Sequence, residues 1–177
     1  MPARVVVFLD WQNVYNGARE MFCTQQAPHW RGQPDGKLDP RGYSASRRQH
    51  ATWQRSPLVT LVTRPLRYPQ GWPTRSRVGE RPQEKGIDVA LAIDFVVMAV
   101  RKELDVGILM STDTDMKPAL EAVARLTAAQ GTRAEVGAWG VPGRHSRRLS
   151  IQSRNLYCHW IGEDVYLQIA DPTDYSI

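Results

Sequence analysis

Four aspartates occupy positions from which their carboxylates could meet at one site. Asp10 follows an apolar, β-branched run, and Asp113 lies two residues past a second such run. Asp115 comes shortly afterwards, and Asp88 opens a long apolar segment. Because ligands of open parallel sheets collect beyond the carboxyl ends of the strands, we expect these acids to converge on one sheet edge. Close carboxylates repel one another, and a hard divalent cation with oxygen ligands, Mg²⁺ or Mn²⁺, is the usual compensation.

Each of these acids also has a purely structural explanation. Asp10, Asp113 or Asp115 could cap the helix that follows it, since Asp is a preferred residue at helix N-termini. For any single acid, helix capping is the better explanation. Helix capping would, however, have to explain the acids at two strand ends and Asp88 as well. Asp94 is a different case, because its sequence neighbours are apolar. We expect Asp94 to be buried and to support the site rather than to bind metal directly.

Three more polar residues are candidates for supporting roles. Asn13 lies one turn past Asp10, where its amide could orient that carboxylate or a phosphate, or could simply cap a helix. Ser111 offers a hydroxyl at the same predicted edge. Lys85, three residues before Asp88, could hold a phosphate or pair with an acid, or could be an ordinary solvated lysine. No His or Cys cluster has the spacing of a zinc site.

Positive charge is clustered along the chain. The 23 Lys and Arg residues exceed the 18 Asp and Glu residues, for a formal charge of +5. Residues 41–81 hold nine arginines and one acid, and residues 144–154 hold four arginines and no acid. Arginine outnumbers lysine by 19 to 4, which explains the residue type but not the clustering. Basic flanks around an acidic centre suit an enzyme that holds a polyanion by its phosphates.

We therefore expect an RNA partner, held by arginines at the rim of the acidic crevice. Aromatic residues are interleaved with the arginines of the irregular segments, and exposed aromatics can stack unpaired bases, which favours single-stranded RNA. The predicted RNA-binding arginines are Arg47, Arg48, Arg64, Arg67, Arg147 and Arg148.

The elements that must position these residues alternate along the chain. Apolar runs predict strands over 4–9, 57–63, 106–111 and 133–139, with a further short run at 156–161. Helical spacing predicts helices over 13–22, 86–101, 118–129 and 163–170, and a polar helix over 43–54 begun by Ser44 or Ser46. The basic segments at about 24–42 and 64–82 are rich in Pro and Gly and are predicted to be irregular. This order is typical of a doubly wound α/β fold with a mostly parallel sheet.

Length and composition narrow the class of protein. The 177 residues suit one domain spanning 1–177, and the two cysteines are too few for a disulfide framework. The chain has neither a recognisable secretion signal nor an apolar run long enough to cross a membrane, so we expect a cytoplasmic protein with no membrane partner. The sequence does not decide between a monomer and a homo-oligomer.

Three motifs resemble the NYN domain family, the LabA-like branch of the PIN-type nuclease superfamily. They are FLDWQNVY at 8–15, EKGIDVALAIDFV at 84–96 and LMSTDTDMKPAL at 109–120. The resemblance implies a PIN-like three-layer sandwich and divalent-metal-dependent cleavage of RNA. It places Asp10, Asp88, Asp113 and Asp115 at the positions of the family's acidic cluster.

The chain departs from the family pattern at three places. Trp11 and Thr112 stand where Gly is common in the family, which could alter how closely a phosphate approaches the backbone. Such folds usually have a second strand between the first helix and the segment equivalent to 43–54. Only the Pro- and Gly-rich segment 24–42 is available here, and we predict that it contains no regular strand.

The function predicted from these patterns is a metal-dependent endoribonuclease. The main alternative is a module of the same fold that binds RNA or a protein without cleaving. A weaker alternative reads Asp113 and Asp115 as the nucleophile pair of an aspartyl phosphatase.

Overall fold

Strands and helices alternate along the chain in the computed structural model, which describes residues 2–22, 33–72, 74, 80–143, 146–169, 171 and 173–175. The strands are β1 (Val5–Leu9), β2 (Val106–Met110), β3 (Arg133–Trp139) and β4 (Cys158–Ile161). The helices are α1 (Trp11–Phe22), α2 (Pro40–Trp53), α3 (Ile87–Val100), α4 (Lys117–Leu126) and α5 (Glu163–Ile169). Short 3₁₀ helices cover Thr114–Met116 and Ala128–Gln130.

The four strands form one parallel sheet in the order β1-β2-β3-β4. Leu9, Met110, Gly137 and His159 pair in one row across it, so all four strands end at the same edge. This confirms the predicted α/β class and the PIN-like sandwich.

The hydrophobic core lies on the face of the sheet that α3 covers. Phe8, Leu109 and Val136 occupy one row of three strands and are buried on that face. The Phe95 ring of α3 meets the Phe8 ring edge-on, with centroids 5.1 Å apart. Gly107 is required beneath α3, because a Cβ at this position would lie 2.7 Å from Phe95 Cε2.

Helix α1 lies against the opposite face of the sheet, over β3. The Trp139 indole N–H donates a 2.8 Å hydrogen bond to the Val14 carbonyl. A Cβ at Gly17 would lie 3.1 Å from the same indole, so the glycine lets the helix approach the strand closely. These contacts fix the start of α1 relative to the sheet.

Helix α2 begins earlier than predicted. Asp39 caps it by accepting a 2.9 Å hydrogen bond from the Gly42 N–H, and Pro40 occupies its first turn. The prediction of Ser44 or Ser46 as the cap was wrong, because proline suits a first helical turn and the acid before it satisfies an otherwise unpaired N–H.

The predicted strand over 57–63 does not form. The chain turns at Ser56, whose carbonyl accepts a hydrogen bond from the Val59 N–H, and continues without regular structure. Leu58 is 93% exposed. A β-branched composition favours a strand only where a neighbouring strand can complete the hydrogen-bond ladder, and this segment is not paired with one.

The prediction of no strand in segment 24–42 is tested only over part of its length. Residues 24–32 lie outside the described residues. Within residues 33–42 the extended pairing is one isolated bridge between Gln33 and Pro65, and helix α2 starts at Pro40. The described part of segment 64–82 has bridges at Pro65 and Arg67 and is otherwise irregular, as predicted.

The chain divides into two compact units. The first is built from the described residues of 1–26 and 88–170 and contains the whole sheet with α1, α4 and α5 and nearly all of α3. The second is built from the described residues of 27–87 and 171–177 and contains α2, whose Arg48 guanidinium donates to the Tyr175 carbonyl. Among the described residues, no helix combines the length and apolar character that a membrane crossing requires.

Candidate active site

Asp10 lies at the carboxyl end of β1 and begins α1. Its backbone N–H continues the ladder by donating to the Met110 carbonyl, and its carbonyl accepts from the Val14 N–H. Its Oδ1 accepts a 3.2 Å hydrogen bond from the Asn13 N–H, which is the helix cap expected of this position. The helix-cap explanation therefore accounts for Oδ1 of Asp10, whereas Oδ2 makes a different contact.

Ser111 links the residues that follow β1 to those that follow β2. Its hydroxyl donates a 3.0 Å hydrogen bond to Asp10 Oδ2 and accepts a 3.0 Å hydrogen bond from the Asp113 N–H. The residue is buried, so its geometry is set by the protein rather than by solvent. The hydroxyl thus holds the Asp10 carboxylate and the backbone of Asp113 in a fixed relation.

Asp113 caps the 3₁₀ helix that follows β2. Its Oδ1 accepts a 2.9 Å hydrogen bond from the Asp115 N–H. In the described part of the chain, the other oxygen of Asp113 has no hydrogen-bond partner, so it could bind a ligand without breaking the cap. Asp115 is exposed in the first turn of the 3₁₀ helix.

Electrostatics couples three of the acids. Burial raises the pKa of Asp10, hydrogen bonds from Asn13 and Ser111 oppose that rise, and the negative charges of Asp113 and Asp88 add to it. Asp88 lies in the first turn of α3 and is half-buried. No Lys or Arg within the described ranges forms an ion pair with Asp10, Asp88 or Asp113. The negative charge of this site is therefore not neutralised by nearby cationic side chains.

Asp88 and Asp113 lie close enough to Asp10 to affect its pKa, but the acids do not form a compact metal-binding cluster. Throughout the described part of the chain, no three His, Cys, Asp or Glu side chains are grouped closely enough to hold a metal ion. The chemistry of the donors still suits a hard cation, because every candidate atom around Asp10 is a carboxylate or hydroxyl oxygen.

Asn13 ties α1 to the loop after β2. Its Oδ1 accepts two 2.8 Å hydrogen bonds, from the N–H and from the hydroxyl of Thr112. Its own N–H donates to Asp10, so one residue contacts both strand ends. The predicted role of Asn13 was to orient the Asp10 carboxylate or a phosphate. The structure shows a more specific contact, in which the Asn13 side chain is hydrogen-bonded to Thr112.

The prediction that Asp94 is buried was wrong. Phe95 and Ala99 form the buried stripe of α3, whereas Asp94 lies on the exposed side with Ile93 and Val97. The segment is apolar nearly all round, so its sequence does not reveal which side faces the sheet. Asp94 therefore needs no buried donor. Lys85 is also exposed and belongs to the second compact unit.

The six predicted RNA-binding arginines are all exposed. Four belong to the second unit and two, Arg147 and Arg148, to the first. Arg148 donates a 3.1 Å hydrogen bond to the Leu156 carbonyl. The three arginines of the basic segments at 75, 77 and 144 lie outside the described residues.

Fold and site together define an α/β protein of the PIN-like class, with acidic residues where parallel strands end. Residues 4–138 match the model of the NYN domain family, and the chain belongs to that family. The family is part of the PIN-like nuclease superfamily, and its members are generally nucleases. The match includes all four candidate aspartates and ends before β4, so β4 and α5 lie outside it.

Neither the curated proteins nor the solved structures contain a match to this chain.

Proposed function

We propose that the protein is a divalent-metal-dependent endoribonuclease whose catalytic and metal-binding residues are Asp10, Asp88, Asp113 and Asp115. The observation that carries the proposal is the linkage through Ser111, whose hydroxyl joins the half-buried Asp10 carboxylate to the Asp113 backbone. The raised pKa of Asp10, caused by burial and by the charges of Asp113 and Asp88, supports it.

The protein's part in the reaction is to hold acceptor oxygens in place. Asp10 offers Oδ2, which already accepts from Ser111, and Asp113 offers the oxygen that does not cap the 3₁₀ helix. Asp88 adds charge from the first turn of α3, and Asp115 adds a second carboxylate after β2. Bound Mg²⁺ or Mn²⁺ would supply an activated water and stabilise charge on the phosphate.

The substrate would be held by positive charge on the surface. Arg147 and Arg148 are exposed in the first unit, and Arg47, Arg48, Arg64 and Arg67 are exposed in the second. Arginine matches phosphate with paired N–H donors, so these residues would bind the RNA backbone without reading its sequence. We propose that Lys85 contributes a phosphate contact.

The test is turnover of a 5′-labelled single-stranded RNA by purified protein in EDTA, Mg²⁺ or Mn²⁺. We expect internal cleavage only with metal, and its loss in Asp10→Asn and Asp113→Asn. Binding without cleavage under every metal condition would overturn the proposal in favour of a binding module. Hydrolysis of a small phosphomonoester but not of RNA would instead support the phosphatase alternative.

A further inference from the structure

An open groove of about 610 Å³ lies beside β4, at the edge of the sheet away from β1. It is lined by Arg148, Asn155, Leu156, Tyr157, Cys158 and Trp160. Tyr157 is 66% exposed and Trp160 is 50% exposed. Since strand side chains alternate, the Tyr157 ring lies with His159 on the face opposite to Cys158 and Trp160, so Trp160 supplies the aromatic ring of this groove. An exposed ring of this size needs a reason, because it is costly to solvate.

The shape of the groove is held by specific contacts. The Arg148 guanidinium is held by its hydrogen bond to the Leu156 carbonyl. The Trp160 ring rests on Gly140, where a Cβ would lie 2.9 Å from ring atom Cε3. The Tyr157 ring packs edge-on against His159, with centroids 4.8 Å apart. The aromatic and basic groups are therefore ordered before any ligand binds, which lowers the entropy cost of binding.

The charge of the groove is positive. From Val136 to Gly162 the sequence contains no acid, and Arg147, Arg148 and Arg154 are exposed there. The acid just before this stretch, Glu135, is already paired with His159 at 2.7 Å. Aromatic faces together with arginines are the combination that holds unpaired bases and their phosphates.

The register of the sheet relates the groove to the acidic site. Phe8, Leu109, Val136 and Cys158 form one row, and all four contribute to the core face. Strand side chains alternate, so the residues two positions beyond this row lie on the same face. They are Asp10, Ser111, Ala138 and Trp160. Three strand spacings of about 4.8 Å separate β1 from β4, so Trp160 lies roughly 14 Å across the sheet from Asp10. That span is about four nucleotides of a stacked strand at ~3.4 Å each.

We propose that this groove is a base-stacking subsite for single-stranded RNA, in which Trp160 stacks an unpaired base about four nucleotides from the phosphate bound at the acidic site. The inference rests on the proposed function, because it takes RNA as the substrate of the acidic site. It adds one binding residue, Trp160, that lies outside the segment matched to the family.

The experiment measures binding of a labelled 12-nucleotide single-stranded RNA in EDTA, so that cleavage plays no part. Trp160→Ala should weaken binding roughly 5- to 100-fold, the fold-change that corresponds to one lost base stack. Trp160→Phe keeps an aromatic face and should restore most of the affinity. Leu167→Ala, which trims another exposed apolar side chain of the same unit, is the matched control and should bind like the parent.

A second arm tests bases rather than phosphates. An RNA with abasic units at positions three to five from the cleaved bond should bind the parent as weakly as intact RNA binds Trp160→Ala, and the two changes should not add. Gly140→Ala should give a similar loss by displacing the indole, with Trp160 itself intact.

The outcomes separate the two proposals. Unchanged RNA affinity in folded Trp160→Ala overturns the groove proposal, even if the parent cleaves RNA normally. Groove-dependent binding by a protein that never cleaves supports the subsite and overturns the endoribonuclease. A parent dimer that Trp160→Ala converts to monomers would assign the surface to a second copy of the chain and also overturn the subsite.

Discussion

Asn13 Oδ1 accepts two hydrogen bonds of 2.8 Å from Thr112, one from the backbone N–H and one from the hydroxyl. The two residues are 99 positions apart in the chain, and each adjoins one end of the candidate site. We expect Asn13→Ala to lower the free energy of unfolding by about 1–2 kcal/mol, since it removes two hydrogen bonds. Thr112→Val keeps the backbone donor and should cost about half as much. Urea denaturation measures both, and equal stability of all three proteins would contradict the bridge.

Asp113→Asn separates metal binding from helix capping. Asn caps helices as well as Asp does, so the hydrogen bond to the Asp115 N–H should persist and metal-free stability should be unchanged or slightly higher. Metal-dependent cleavage should nevertheless collapse, while RNA binding through the arginines persists. Melting curves without metal, run beside a cleavage assay, make the comparison. Near-normal cleavage by the variant would show that Asp113 is not part of the catalytic site.

Asp10→Asn should stabilise the metal-free protein at neutral pH. Because burial and the charges of Asp113 and Asp88 raise the pKa of Asp10, the folded state binds this proton more tightly than the unfolded state does. Ionised Asp10 thus disfavours folding above its raised folded pKa, and this cost disappears as pH falls toward the unfolded value of about 3.9. In EDTA, the melting advantage of the variant should shrink on acidification from pH 7 toward pH 4. A variant less stable than the parent at pH 7 would contradict this electrostatic account.

The two neighbouring residues Val7 and Phe8 offer a matched test of the core. Phe8 is buried against Phe95, whereas Val7 points to the opposite side of β1 and is half exposed. Phe8→Ala should cost about 3–5 kcal/mol in the free energy of unfolding, and Val7→Ala about 1 kcal/mol or less. Chemical denaturation distinguishes them, and similar losses would mean that the two faces of β1 are equally buried.

RNA affinity should fall steeply with salt if the exposed arginines bind phosphates. Each phosphate contact removed should flatten the log–log salt slope by roughly 0.7 for single-stranded RNA. We expect that change for Arg147→Gln. Arg125→Gln is the control, because Arg125 lies in the last turn of α4, which runs away from the carboxyl ends of the strands. An affinity indifferent to salt would contradict phosphate binding by the basic residues.

The sheet of the fold was largely predictable from the sequence. The bounds of β3 at Arg133–Trp139 agree with the strand predicted over 133–139, and the order of strand and helix in the later half leads to a parallel sheet. The placement of Asp10 and Ser111 at one edge follows too, because parallel strands end together. Their hydrogen bond needed the structure, since it depends on a register between residues 101 positions apart.

Two of the mistaken predictions have a common cause. The apolar segment at 57–63 and the burial of Asp94 were both inferred from local composition, whereas each depends on which partner the segment meets. The Asn13–Thr112 bridge was missed for the same reason, because it joins helix α1 to the loop after β2, whose proximity only the completed sheet determines.

The long separation between β1 and β2 also determines when the site can form. Every residue pair of β1 and β2 is 101 positions apart, so β1 remains without its partner strand until more than a hundred residues have been synthesised. At about 5–20 residues per second this takes roughly 5–20 s, during which a strand of five apolar residues has no sheet to join. Closing so large a loop is also slow on entropic grounds. The acidic site therefore cannot form until β2 has been made and has paired with β1.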